Sequence, residues 1–151
     1  MKIADILKPD GVLYNVKAKS KKQLLTELAT LAAKKTGLDA VAVLDALIER
    51  ERLGTTGIGF GVALPHTRLA TLKKIFCGFA TSEPVDFDSV DNKPVDLAFV
   101  LLVPESAGAD HLKALARLSR LLKNENVVAA LRKATSAKEL YELITENDMD
   151  E

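Results

Sequence analysis

The stretch Val95-Asp96-Leu97-Ala98-Phe99-Val100-Leu101-Leu102-Val103, stopped by Pro104, decides how this chain folds. A strand sends successive side chains to opposite faces. A run that is apolar at both parities therefore suits a central strand covered on both sides, as in sheets sandwiched by helices. It is far shorter than the roughly 20 residues of a membrane span, and no other run comes closer. Pro104 ends it, because proline has no amide hydrogen to give the next rung.

The segments on either side supply the cover. Downstream, residues 109–123 place Leu112, Leu115, Leu118, Leu121 and Leu122 at helical spacing, predicting a long helix with these leucines on its buried side. A shorter helix is predicted over 125–133. Ser136-Ala137-Lys138-Glu139 has the capping-box form and opens a last helix carrying Leu140, Leu143 and Ile144. The acidic tail 146–151 is expected to fray. Upstream, 12–16 reads as an early strand, and Ser20-Lys21-Lys22-Gln23 as the cap of a helix bearing Leu24, Leu25, Leu28, Leu31 and Ala32, stopped at Gly37. Asp39 caps a second helix, with Val41, Leu44, Leu47 and Ile48 on its apolar face, ending before Gly54. Residues 62–64 and 74–81 are further strands, and the acidic, turn-rich 83–93 is a surface connection. The sum is one α/β domain over 1–151, a mixed sheet sandwiched between helices.

Composition agrees with a folded domain. At 151 residues the chain is large enough for one proper core. Zero net charge and 5% aromatic residues argue against a nucleic-acid surface. There is no signal-peptide core. One cysteine, Cys77, permits no internal disulfide and suits a reducing cytoplasm. Cys77 lies in an apolar strand and reads as an inert core thiol.

Two places carry chemistry. Gly54-Thr55-Thr56-Gly57-Ile58-Gly59-Phe60-Gly61 is a tightly bent segment, yet it lacks the Gly-Lys-Ser/Thr ending of a nucleotide loop and the dinucleotide spacing. His66 follows in Val62-Ala63-Leu64-Pro65-His66. With His111 and Cys77 it gives no paired zinc-ligand spacing, so no metal is expected. A neutral imidazole accepts a phosphoryl group on one ring nitrogen when the other is held by a hydrogen bond. Arg50 and Arg52, at the end of the preceding helix, lie within reach of such a site. His111 falls in the first turn of the long helix, where the dipole keeps it neutral and backbone amides add donors. The same residues also admit plainer roles: His66 as a structural hydrogen-bonding group, the arginines as partners of a helix C-terminus, and His111 as a cap.

Read together, Arg50-Glu51-Arg52-Leu53-Gly54-Thr55-Thr56-Gly57-Ile58-Gly59, then Gly61-Val62-Ala63-Leu64-Pro65-His66, then Pro94 to Pro104 and Ala107-Gly108-Ala109-Asp110-His111-Leu112, resemble the type-2 IIA domains of the bacterial phosphotransferase system. These include the mannitol and fructose IIA domains and the nitrogen-related IIA proteins. The resemblance covers nearly the whole chain. It implies the mannitol/fructose-type IIA fold and a phosphoryl carrier with a phosphohistidine intermediate rather than a stand-alone catalyst. It makes His66 the phosphorylated residue, with His111 and Arg50 supporting the phosphate, and implies no cofactor. The implied donor is an HPr or nitrogen-HPr type phosphocarrier, fed by enzyme I from phosphoenolpyruvate. Nitrogen-related members usually carry asparagine at the position of Phe60 and Gly-Lys at Thr67-Arg68; the Thr67 hydroxyl is expected to bond a phosphate. The chain has no room for a IIB or membrane domain, which favours the nitrogen-regulatory branch, acting on targets such as kinases or transporters. Sugar uptake through a separate IIB is the alternative, and a non-phosphorylated IIA-like interaction module is a second one.

Overall fold

The computed structural model describes residues 1–149. The apolar run ending at Pro104 is its central strand. β6 (Val95–Pro104) lies between β5 (Phe76–Val85), antiparallel to it, and the short parallel strands β3 (Val62–Ala63) and β4 (His66–Leu69). β1 (Val12–Val16) runs parallel to β5 at one edge, and β2 (Gly57–Gly59) pairs with β3 at the other. The sheet is thus mixed, in the order β1-β5-β6-β3-β2 with β4 also on β6.

The two parities of β6 feed two cores. Leu97, Phe99, Leu101 and Val103 pack into a cluster with Ala114, Leu118, Val127, Leu131, Leu140 and Ile144, from α4 (Ala109–Lys123), α5 (Glu125–Lys133) and α6 (Ala137–Glu146). Ala98, Val100 and Leu102 face Leu24, Leu28, Val43 and Leu47, from α2 (Lys21–Thr36) and α3 (Ala40–Arg52). Every one of these β6 side chains is essentially inaccessible. The result is a single domain: a mixed open sheet with six α-helices among the described residues, including the one-turn α1 (Ile3–Ile6), which no sequence pattern announced.

The caps sit where expected. Ser20, Asp39 and Ser136 each accept an amide hydrogen of the first turn, from Gln23, Ala42 and Glu139. Neither capping box closes on its own cap residue, however: the Gln23 amide oxygen and the Glu139 carboxylate accept from the backbone N–H of Lys19 and Thr135, one residue earlier.

Several expectations are corrected. Leu112 is 67% exposed and Val41 64% exposed, so neither lies on a buried face; Val43 does the packing in α3. Residues 83–93 are not wholly surface: β5 runs to Val85, and Phe87 is fully buried. The glycine segment contains β2, and His66, just beyond the expected strand β3, itself starts a further strand. The described part of the tail is anchored: Asp148 accepts from Ile3 N at 2.6 Å and from Arg117 Nε at 2.7 Å. The expected fraying of 150–151 lies outside the described residues.

Candidate functional site

Proline fixes the entry to the site. The residue before a proline is confined to extended backbone, so Leu64 presents its carbonyl in a set direction. The segment is held at both ends: Leu64 N–H donates to Thr56 O at 3.0 Å, and Leu101 N–H to Pro65 O at 2.9 Å. Into this frame His66 places its ring with Nδ1 2.8 Å from Leu64 O. A carbonyl only accepts, so Nδ1 carries the hydrogen and Nε2 is left with its lone pair. Burial pushes the half-buried His66 imidazole below the usual histidine range. The bond to Leu64 pulls it back up, the Arg50 charge pushes it down, and the Glu51 charge raises it. The net direction keeps the ring neutral, which is the nucleophilic form.

His111 meets this ring edge to face, with centroids 5.9 Å apart and planes at 67°. It sits in the first turn of α4, whose N-cap Gly108 has no side chain to cap the helix amides. Its Nδ1 is buried with no hydrogen-bond partner among the described residues. Burial lowers its pKa, and the charge of Arg68 and then His66 lowers it further.

Arg50 is brought in as expected: its Nη1 folds back to Gly54 O at 3.0 Å, and its charge reaches the His66 ring. Arg52 is not; it is exposed and pairs with Glu49 one helical turn back. The Thr67 expectation is corrected by strand geometry. His66 stands beside Leu101 and Arg68 beside Val103, facing α4, whereas Thr67 stands beside Leu102 and shares the α2–α3 side with Leu69. Alternation turns the Thr67 side chain away from the imidazole.

Two residues were missed. Arg68 shares the His66 face, tethers the loop before α4 through Glu105 O at 3.0 Å, and is felt by His111. Extending the strand beyond Pro65 and counting by two from His66 finds it. The Glu51 side chain is almost wholly withdrawn from water and takes both donors of Thr56; its position inside a charged helix end carried no such signal. Cys77 is buried, as read, and burial drives its thiol far up, away from the reactive thiolate.

An imidazole with one nitrogen tethered and the other free stands beside a second imidazole, with the Arg50 charge felt at the first ring and the Arg68 charge at the second; such an arrangement can hold an anionic group on a ring nitrogen. Comparison with known proteins places the whole chain. Residues 5–147 match the family model of the phosphoenolpyruvate-dependent sugar phosphotransferase system, EIIA 2. The nitrogen regulatory protein of Bradyrhizobium diazoefficiens is 50% identical over 145 residues, covering 95% of either chain. The fructose-specific EIIA component of Haloferax volcanii is 42% identical over 125 residues, covering 82% of this chain and 80% of its own. The crystal structure of nitrogen regulatory protein IIA-Ntr from Neisseria meningitidis superposes with a TM-score of 0.90 at 38% identity, covering 95% of this chain and 99% of that one. The segments from Arg50 to His66 and from Ala107 to Leu112 thus lie within a match that spans nearly the whole chain, and this protein belongs to the EIIA type-2 family of the phosphotransferase system.

Proposed function

We propose that the protein is a phosphoryl carrier of the nitrogen-related phosphotransferase system, loaded on His66 in the cytoplasm by an HPr-type phosphocarrier. One observation carries the reading: the 2.8 Å contact of His66 Nδ1 with Leu64 O, which leaves Nε2 as the free nucleophile. In the transfer, the Nε2 lone pair forms a bond to phosphorus as the donor's N–P bond breaks, and the donor imidazole leaves with that electron pair. The proton stays on Nδ1, where the Leu64 carbonyl stabilises the positive charge that the ring acquires. His111, Arg50 and Arg68 surround the dianionic phosphoryl group, and backbone amides at the start of α4 add donors.

The regulatory output follows from charge. A loaded His66 turns a neutral face anionic and changes which protein surfaces, such as those of kinases or transporters, can dock. The nitrogen regulatory name of the Bradyrhizobium relative at 50% identity supports this branch. The fructose-specific Haloferax relative supports sugar uptake as the second reading, with a separate IIB as acceptor. Incubation with phosphoenolpyruvate, enzyme I and a phosphocarrier, read by intact mass, tests the carrier. One phosphate gained by wild type and none by His66→Ala is expected. No gain with any cognate donor makes the protein a non-phosphorylated interaction module. Transfer of the label to a IIB protein, with no target that distinguishes the two states, favours uptake.

A further inference from the structure

We infer that Glu51 is a positioning residue for His66, acting through Thr56 and Leu64 to set which ring nitrogen carries the proton. This rests on the carrier reading for its consequence, though not for its geometry.

The hydrogen bonds form a continuous series. The Glu51 carboxylate accepts from Thr56 N–H at 3.0 Å and, through its other oxygen, from the Thr56 hydroxyl. Thr56 O accepts from Leu64 N–H at 3.0 Å, and Leu64 O accepts from His66 Nδ1 at 2.8 Å. Each step leaves little slack, because Pro65 fixes the backbone between the last two.

The far end is anchored as well. Lys21 Nζ sits 2.9 Å from Glu51 Oε1, 3.8 Å from Asp88 Oδ2 and 4.6 Å over the Phe87 ring. The Glu51 side chain is 7% exposed and that of Lys21 19% exposed. A carboxylate taken this far out of water persists only with its donors in place. Here it has three: an amide, a hydroxyl and an ammonium.

The glycine segment explains why a charged anchor is needed. Between Gly54 and Gly61 the chain contains four glycines and little to pack, so nothing in its own sequence fixes where Thr56 stands. Charge-assisted bonds are about twice as strong as neutral ones, and they tie this segment to the rigid end of α3. The Thr55 hydroxyl adds a second tie to Phe87 O at 3.0 Å, but it does not touch the series leading to His66. Glu51 thus holds the loop, the loop holds Leu64, and Leu64 holds the tautomer. A wrong tautomer buries the free lone pair against Leu64 O and leaves no nucleophile for phosphorus.

The experiment compares wild type, Glu51→Gln and Glu51→Ala. Long-range proton–nitrogen NMR spectra of the unphosphorylated proteins report the His66 tautomer, and single-turnover phosphorylation from a labelled phosphocarrier reports the rate. Gln keeps an acceptor but no charge. The expected order, in both the Nδ1–H population and the rate, is wild type, then Gln, then Ala, with Ala slowed about tenfold to a hundredfold. An unchanged tautomer together with rates within about twofold of wild type, per folded molecule, overturns the inference. If Glu51→Ala does not fold, the same comparison with Glu51→Gln alone decides. If wild type accepts no phosphate, the carrier reading fails, while the tautomer spectra still decide the role of Glu51.

Discussion

Gly61→Ala tests whether the turn that delivers the chain to His66 is built around a specific close approach. Gly61 has φ +78, a left-handed conformation that costs an alanine about 1–2 kcal/mol. A Cβ there also overlaps the Arg132 guanidinium and stands 3.0 Å from Asp96 Oδ1. Arg132 forks onto Asp96 through Nε at 2.9 Å and Nη2 at 3.0 Å, and Nη2 also donates to Phe60 O. Displacing it loses a charge-assisted bond worth about 1.5 kcal/mol at this partly exposed site and an ion pair worth less than about 1 kcal/mol. The expected total is about 2.5–4.5 kcal/mol. Gly37→Ala is the control: Gly37 has φ +80 but nothing within 4 Å of a Cβ, so it carries the backbone cost alone. Urea unfolding, with an m value of about 1–3 kcal/mol per molar, should show a clearly larger midpoint shift for Gly61→Ala. In an Arg132→Ala background the Gly61→Ala cost should fall to that of Gly37→Ala, a coupling of about 1 kcal/mol or more. Equal costs for the two glycines, or an unchanged Gly61→Ala cost without Arg132, refute the reasoning.

Other perturbations follow from single residues. Phe60 holds φ +58 while its side chain is 78% exposed, so Phe60→Asn should stabilise the fold by about 0.5–1 kcal/mol in the same assay; no gain contradicts the strain. His66 and His111 both have folded-state pKa values below that of a free histidine. The unfolded chain therefore takes up protons first as pH falls through about 6.5. These residues cost no stability above that pH and lower it progressively below; a His66→Ala, His111→Ala double variant should lose less stability between pH 7 and 5. NMR titration midpoints at or above about 6.5 contradict this. His111→Ala should slow phosphorylation of His66 while leaving the circular dichroism spectrum intact, and a wild-type rate removes its supporting role. The buried Cys77 thiol should react with a thiol reagent only at the rate of unfolding; fast labelling of the native protein refutes its burial.

The layers were legible where one physical rule dominates. Helix starts at Ser20, Asp39 and Ser136 were readable because an oxygen side chain has few better uses than a free amide. β6 was readable because both its parities are apolar. Elements decided by tertiary contact were not. The sequence His66-Thr67-Arg68-Leu69 has no strand alternation; it is a strand because β6 offers it a parallel edge. Leu112 lies at helical spacing yet in the first turn of α4, before the helix reaches the core. Missing β4 also misplaced the chemistry: Thr67, adjacent in sequence, turns away, and Arg68, two residues on, shares the face. His66, His111 and Arg50 were legible as candidates from their residue chemistry and position, and the family resemblance gave them definite roles. The series from Glu51 to His66 required the fold, because its links join residues across a glycine segment whose path no local pattern sets.

In the proposed carrier, Leu64 holds Nδ1 of His66 and leaves Nε2 to take the phosphate. Nitrogen-15 spectra of the protein phosphorylated with its phosphocarrier identify the modified nitrogen directly. Phosphorus bonded to Nε2 of His66, with Nδ1 still protonated, is the predicted result. Phosphorus on Nδ1, or on a residue other than His66, contradicts the account.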